Sequence, residues 1–171
     1  MQHMLKALAA SLLVAAPAYA QMMDVPAPVK VPAGQKAAMT WTGTGELTYE
    51  CRAKADNASA FEWVFVGPDA KLTDAKTKAA TGKYYGGPTW EAADGSKITG
   101  KQVAVAPASA GNIPFQLVKT DPASGAMKNV TYIQRVNTKG GVAPSDACTA
   151  STKGAKKTVP YSADYVFYKA G

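Results

Sequence analysis

The chain has 171 residues, with 19 basic against 12 acidic side chains and a net charge of +7. That length suits one domain able to bury a real core. The only histidine is His3, which excludes Ser-His-Asp and Cys-His catalysis, histidine general bases and the common zinc and copper sites from the rest of the chain.

Residues 1–20 carry Lys6, a mostly apolar run from Ala7 to Ala16, Pro17, and a small-x-small end at Ala18-Tyr19-Ala20. They read as a signal peptide; the apolar run is shorter than the roughly 20 residues that a spanning helix needs. The expected mature protein starts at Gln21 and is periplasmic or secreted, with no membrane span. Residues 21–40 are proline-rich at first, "QMMDVPAPVKVPAGQK", and read as an extended N-terminal arm or edge strand. The remainder, 41–171, is read as a single β-domain.

In "LTYECRAK", Leu47, Tyr49, Cys51 and Ala53 alternate with Thr48, Glu50, Arg52 and Lys54, the mark of a half-buried strand with Cys51 inward. "FEWVFV" at 61–66 is almost continuously apolar and predicts a strand buried on both faces. Gly67-Pro68-Asp69 predicts a turn. Residues 69–83 carry a weak helical face; a short helix and a lysine-rich loop both fit. Further strands are predicted at 97–106, with Gly100 at a bulge, and at 113–119, 129–137 and 159–168. Asp94-Gly95, Asp121-Pro122 with Ser124-Gly125, and Gly140-Gly141 supply the turns between them. Short strands at this spacing predict an all-β fold, a single-domain antiparallel β-sandwich or β-barrel. Cys51 and Cys148 are most simply one disulfide in an oxidising compartment, two free thiols being the alternative.

Three stretches carry candidate chemistry. In "YYGGPTWEAADGSK", 84–97, Tyr84, Tyr85 and Trp90 can form a stacking platform, and Glu91 with Asp94 can form a carboxylate pair. The structural alternative is a strand corner at Gly86-Gly87-Pro88, a hairpin turn at Asp94-Gly95, and Trp90 in the core. In "YIQRVNTKGG", 132–141, Arg135 can grip a carboxylate or phosphate with its planar fork, or form an internal salt bridge. Tyr161, Tyr165 and Tyr168 line core or pocket. No metal site is expected, since two distant cysteines supply too few ligands, and no cofactor is expected. The charge is almost all lysine and scattered, so nucleic-acid readout is unsupported, and weak attraction to anionic surfaces is the electrostatic expectation.

"YEC" at 49–51, "WVFVGPDAKL" at 63–72, "YYGGPTWEAADGS" at 84–96, "IPFQLVK" at 113–119, "TYIQRVNTKGGVAP" at 131–144 and "VPYSADYVFY" at 159–168 occur in one order. Together they resemble the family called domain of unknown function 3455, found in exported bacterial proteins and in fungi. The resemblance covers essentially the whole mature chain. It implies an exported single domain and brings no catalytic residues with it. The chain departs from the family pattern at Tyr84, where relatives often carry histidine, and at Phe115, where they often carry tryptophan. The leading functional expectation is a non-catalytic domain of the cell envelope that binds a small molecule, a glycan or a protein surface. Its candidate ligand-binding residues are Tyr84, Trp90, Glu91 and Arg135. The alternatives are a histidine-independent hydrolase or lyase using carboxylates and tyrosine, and a structural or stress-related envelope protein.

Overall fold

The computed structural model describes residues 25–171, so the signal-peptide reading lies outside the described residues. Among those residues the only helical elements are short 3-10 turns, at Ala27–Val29, Gly125–Met127 and Ala150–Thr152. The strands are β1 (Gln35–Ala53), β2 (Phe61–Asp74), β3 (Ala80–Tyr85), β4 (Thr89–Ala92), β5 (Lys97–Ile98), β6 (Gly100–Ala106), β7 (Phe115–Thr120), β8 (Val130–Gly140) and β9 (Lys156–Ala170). All pairings are antiparallel, in the order β5-β4-β3-β2-β1-β9-β8-β7-β6.

The two ends of that order, β5 and β6, are consecutive in the chain and separated only by Thr99. β5 pairs with β4 and β6 with β7, so one stretch of backbone serves both edges and brings the sheet almost to a closed barrel. Closure removes most of the unpaired edge that an open sheet would expose. Gly100 makes the corner possible: a Cβ there would stand 2.4 Å from the Lys119 carbonyl oxygen. Thr99 fastens it, donating to Asp121 Oδ2 at 2.6 Å and accepting from the Asp121 N–H at 2.9 Å.

The alternation seen in "LTYECRAK" starts earlier than the sequence reading placed it. β1 begins at Gln35, inside the stretch read as an arm, and Trp41, Gly43, Leu47, Tyr49 and Cys51 are all buried. Three other expectations are corrected. Residues 69–83 are neither helix nor loop: β2 runs through to Asp74 and β3 returns from Ala80, with Pro68, Ala70 and Leu72 inward. Small inward residues and polar outward ones hid that alternation. Gly67-Pro68-Asp69 is therefore strand, lying beside a register shift at Thr48/Tyr49, where a proline's missing N–H is tolerated. "FEWVFV" is not buried on both faces, since Phe65 is 49% and Val66 43% exposed.

The core fills the part of the barrel near the β5/β6 corner, with Leu72, Trp90, Ile98, Val118, Met127, Ile133, Tyr165 and Phe167 all buried. A smaller cluster lies outside the barrel wall, where Val29 packs on Ala106 and Leu117. Gln134, buried on that outer face, donates from Nε2 to the Val29 carbonyl at 2.6 Å and accepts from the Tyr168 hydroxyl at 3.0 Å. These contacts dock the described part of the N-terminal segment across β6, β7 and β8. Cys51 and Cys148 form a disulfide that ties β1 to the loop before β9.

Candidate functional site

The core does not fill the barrel. A cup of about 280 Å³ remains, lined from β1 by Leu47 and Tyr49, from β2 by Phe65, from β3 by Tyr84, from β6 by Gln102 and Val105, from β7 by Gln116 and from β8 by Arg135, with Ile113 and Pro114 closing one side. Strand register explains the set. Arg135 pairs with Tyr165 on β9 and Gln116 on β7, and Ile133, two residues before it, pairs with Phe167 and Val118. Period-two alternation then puts Arg135 on the same inward face as Ile133, the opposite face from Gln134. Tyr84 lies opposite Trp90 and Ala70 and is inward for the same reason.

Among the described residues, Arg135 is the only charged side chain lining the cup. Its Nε and Nη2 both donate to the Pro114 carbonyl oxygen, at 3.1 and 2.9 Å. Among the described residues no carboxylate lies within 4.0 Å of it, so the internal salt bridge that the sequence allowed is not formed. Its positive charge reaches four phenols. Burial pushes the Tyr49, Tyr84, Tyr161 and Tyr165 hydroxyls up from their ordinary value, and the Arg135 charge opposes that rise in each. All four therefore stay neutral and keep their protons.

Three of these hydroxyls are engaged. Tyr49 donates to the Gly141 carbonyl at 2.7 Å, and Tyr161 and Tyr165 hydrogen-bond each other at 3.1 Å. Tyr84 is 5% exposed and faces the cup, and its hydroxyl is bonded to no described residue. Beside Arg135, Gln116 Nε2 donates to Gln102 Oε1 at 2.5 Å, which leaves the other half of each amide turned to solvent or ligand. Phe65 and Val105, 49% and 46% exposed, form an apolar rim.

The candidates from the sequence thus separate. Tyr84 and Arg135 meet at the cup. Trp90 is completely buried behind Tyr84, with ring centroids 4.6 Å apart and nearly parallel planes, and presents no face to a ligand. Glu91 is on the outer face of the barrel. It accepts from the Tyr85 hydroxyl at 2.7 Å and sits 3.4 Å from both Lys83 and Lys97. The Tyr85 hydrogen bond, followed by the two lysines, holds its carboxyl below the ordinary range. Asp94 is occupied by its own turn, accepting from the Ser96 hydroxyl and N–H and from the Ala126 N–H, and its carboxyl is lowered for that reason. Neither acid keeps a proton to donate near neutral pH, and neither lines the cup.

Sequence reasoning missed Tyr49, Gln102 and Gln116. Tyr49 was legible as inward. The two glutamines were not, because Gln102 is exposed and Gln116 half-buried, and only the tertiary structure sets them at the mouth of the cup. A larger groove of about 440 Å³ runs outside the barrel along β1, β8 and β9. Its one carboxylate, Asp164, already accepts from Thr42 and Asn137 at 2.7 Å each. No group of three or more metal-binding side chains occurs among the described residues, and no helix there is long and apolar enough to cross a membrane.

A family model for proteins of unknown function (DUF3455) matches residues 32–169, which takes in all of the strands but Ala170 and every residue of the cup. The chain belongs to this family. No curated protein and no solved structure matches it. The family description assigns no activity, so a functional reading rests on the side chains of the cup.

Proposed function

We propose that this member of the family is a non-catalytic binding domain of the cell envelope, taking a small molecule into the barrel cup. The observation that carries the reading is an interior left open and lined by polar groups with unused hydrogen-bonding capacity, in a barrel otherwise packed with apolar side chains. Ligand sites have this character: a concave, largely apolar wall with a few convergent polar groups. A cup of about 280 Å³ is at the small end of such sites, which argues for a metabolite-sized ligand over a polysaccharide. Export is supported by the sequence pattern of residues 1–20, and a disulfide is compatible with an extracellular location.

A hydrolase or lyase reading has less support. Glu91 and Asp94 are ionised, hydrogen-bonded and outside the cup. The test is an NMR-detected fragment screen of the purified chain, repeated on Val105→Trp, which places an indole in the cup. Fragments that shift the side-chain amides of Gln102 and Gln116 in the wild type are expected to lose binding in the variant while its melting temperature holds. Fragments that bind both proteins equally, or none that move those amides, refute the proposal.

A further inference from the structure

The ligand class can be narrowed, on the premise that the cup is a binding site. We infer that it takes a small organic monocarboxylate, with the carboxylate on Arg135 and an apolar body against Phe65, Val105 and Ile113. The Nε and Nη2 hydrogens that point to Pro114 use only one edge of the guanidinium. The other edge, formed by Nη1 and the second hydrogen of Nη2, has no described protein acceptor. That edge matches a carboxylate with two parallel hydrogen bonds. The bond to Pro114 holds the fork in place, so little side-chain freedom is lost on binding.

A second, independent feature points to a ligand. The Tyr84 ring is almost wholly buried and its hydroxyl faces the cup with no partner among the described residues. That hydroxyl opens onto the cup, so a ligand acceptor can take its hydrogen in place of water. Because burial keeps this phenol protonated, it offers a hydrogen and not a charge. An acceptor between Arg135 and Tyr84 satisfies both.

Charge and lining choose among anions. The cup holds one positive charge and no lysine, helix terminus or second arginine. A dianionic phosphate would bring in a charge with no counterpart, which is costly away from water. Leu47, Phe65, Val105, Ile113 and the Tyr49 ring supply apolar wall that an inorganic ion would leave uncovered. The volume corresponds to roughly nine waters' share of liquid, enough for a single ring or a short chain beside the carboxylate.

The experiment compares benzoate and hexanoate with their uncharged partners benzamide and hexanamide, by NMR titration of the purified chain, with inorganic phosphate as competitor. The carboxylates are expected to bind about tenfold or more tightly than the amides. They should shift the Arg135 Nε–H, and phosphate at equal concentration should not displace them. Arg135→Gln should abolish the preference and leave amide binding intact. Arg135→Lys, which keeps the charge without the fork, should retain only part of it. Amides binding as well as carboxylates, a preference that survives Arg135→Gln, or displacement by phosphate would each overturn the carboxylate assignment while leaving a ligand-binding cup. Failure of all four compounds to move the cup resonances would overturn both.

Discussion

The disulfide gives the most quantitative prediction. Cys51 and Cys148 are 97 residues apart in sequence, with Cα atoms 5.5 Å apart. A closed loop of that length removes chain entropy from the unfolded state equivalent to about 4–5 kcal/mol. For a domain of this size each kcal/mol moves the melting temperature by roughly 2–4 °C, so the bridge is worth on the order of 10–20 °C. The loop that carries Cys148 has other ties. The Trp63 indole N–H donates to the Asp146 carbonyl at 2.8 Å, and Lys157 pairs with the Asp146 carboxylate at 2.6 Å. Those ties are exposed and replace little of the lost constraint. The perturbation is Cys51→Ser with Cys148→Ser, so that no free thiol remains, followed by calorimetry of variant and wild type with and without reductant. The reduced wild type should melt with the variant. Because the effect acts through the unfolded chain, the denaturant m-value should rise as the unfolded ensemble expands. A variant melting within about 3 °C of the oxidised wild type would show that the unfolded chain gains almost no freedom when the bridge is absent, and would refute the reasoning.

Two further predictions concern the stretch 84–97. Tyr84→Phe removes a hydroxyl with no protein partner and should change stability by less than about 0.5 kcal/mol, whereas Trp90→Ala, which empties a fully buried site, should cost about 3–5 kcal/mol; equal losses in urea denaturation would contradict the division between cup wall and core. Glu91 has its carboxyl lowered in the fold from an ordinary value of 4.5, so its contribution to stability is present above pH 4.5 and is lost as pH falls through the folded value. Glu91→Gln should therefore lower stability at neutral pH and flatten the acid side of the profile, and an unchanged slope below pH 4.5 would show that Tyr85, Lys83 and Lys97 do not hold the carboxylate in solution.

What sequence alone determined about this protein follows from local, periodic physics. Strand alternation, glycine and proline punctuation and an even cysteine pair are properties of neighbouring residues, so the all-β class, the turn at Asp94-Gly95 and the Cys51–Cys148 bridge were readable. Where alternation was carried by small residues, as at Pro68 and Ala70, the hydrophobic contrast was too weak to read and a strand passed for a helix or loop. Closure was beyond reach, because it depends on one backbone, Lys97–Ala106, pairing with β4 at one end and β7 at the other. The same closure decided the fate of the candidate residues. Trp90 and Glu91 are adjacent in sequence, yet period-two geometry sends one to the centre of the barrel and the other to its outside. Arg135 and Tyr84 are far apart in sequence, and only the curvature that brings β8 across from β3 sets them at one cup. Whether an inward arginine finds a carboxylate depends on what the opposite wall presents, and here that wall presents phenols, amides and hydrocarbon.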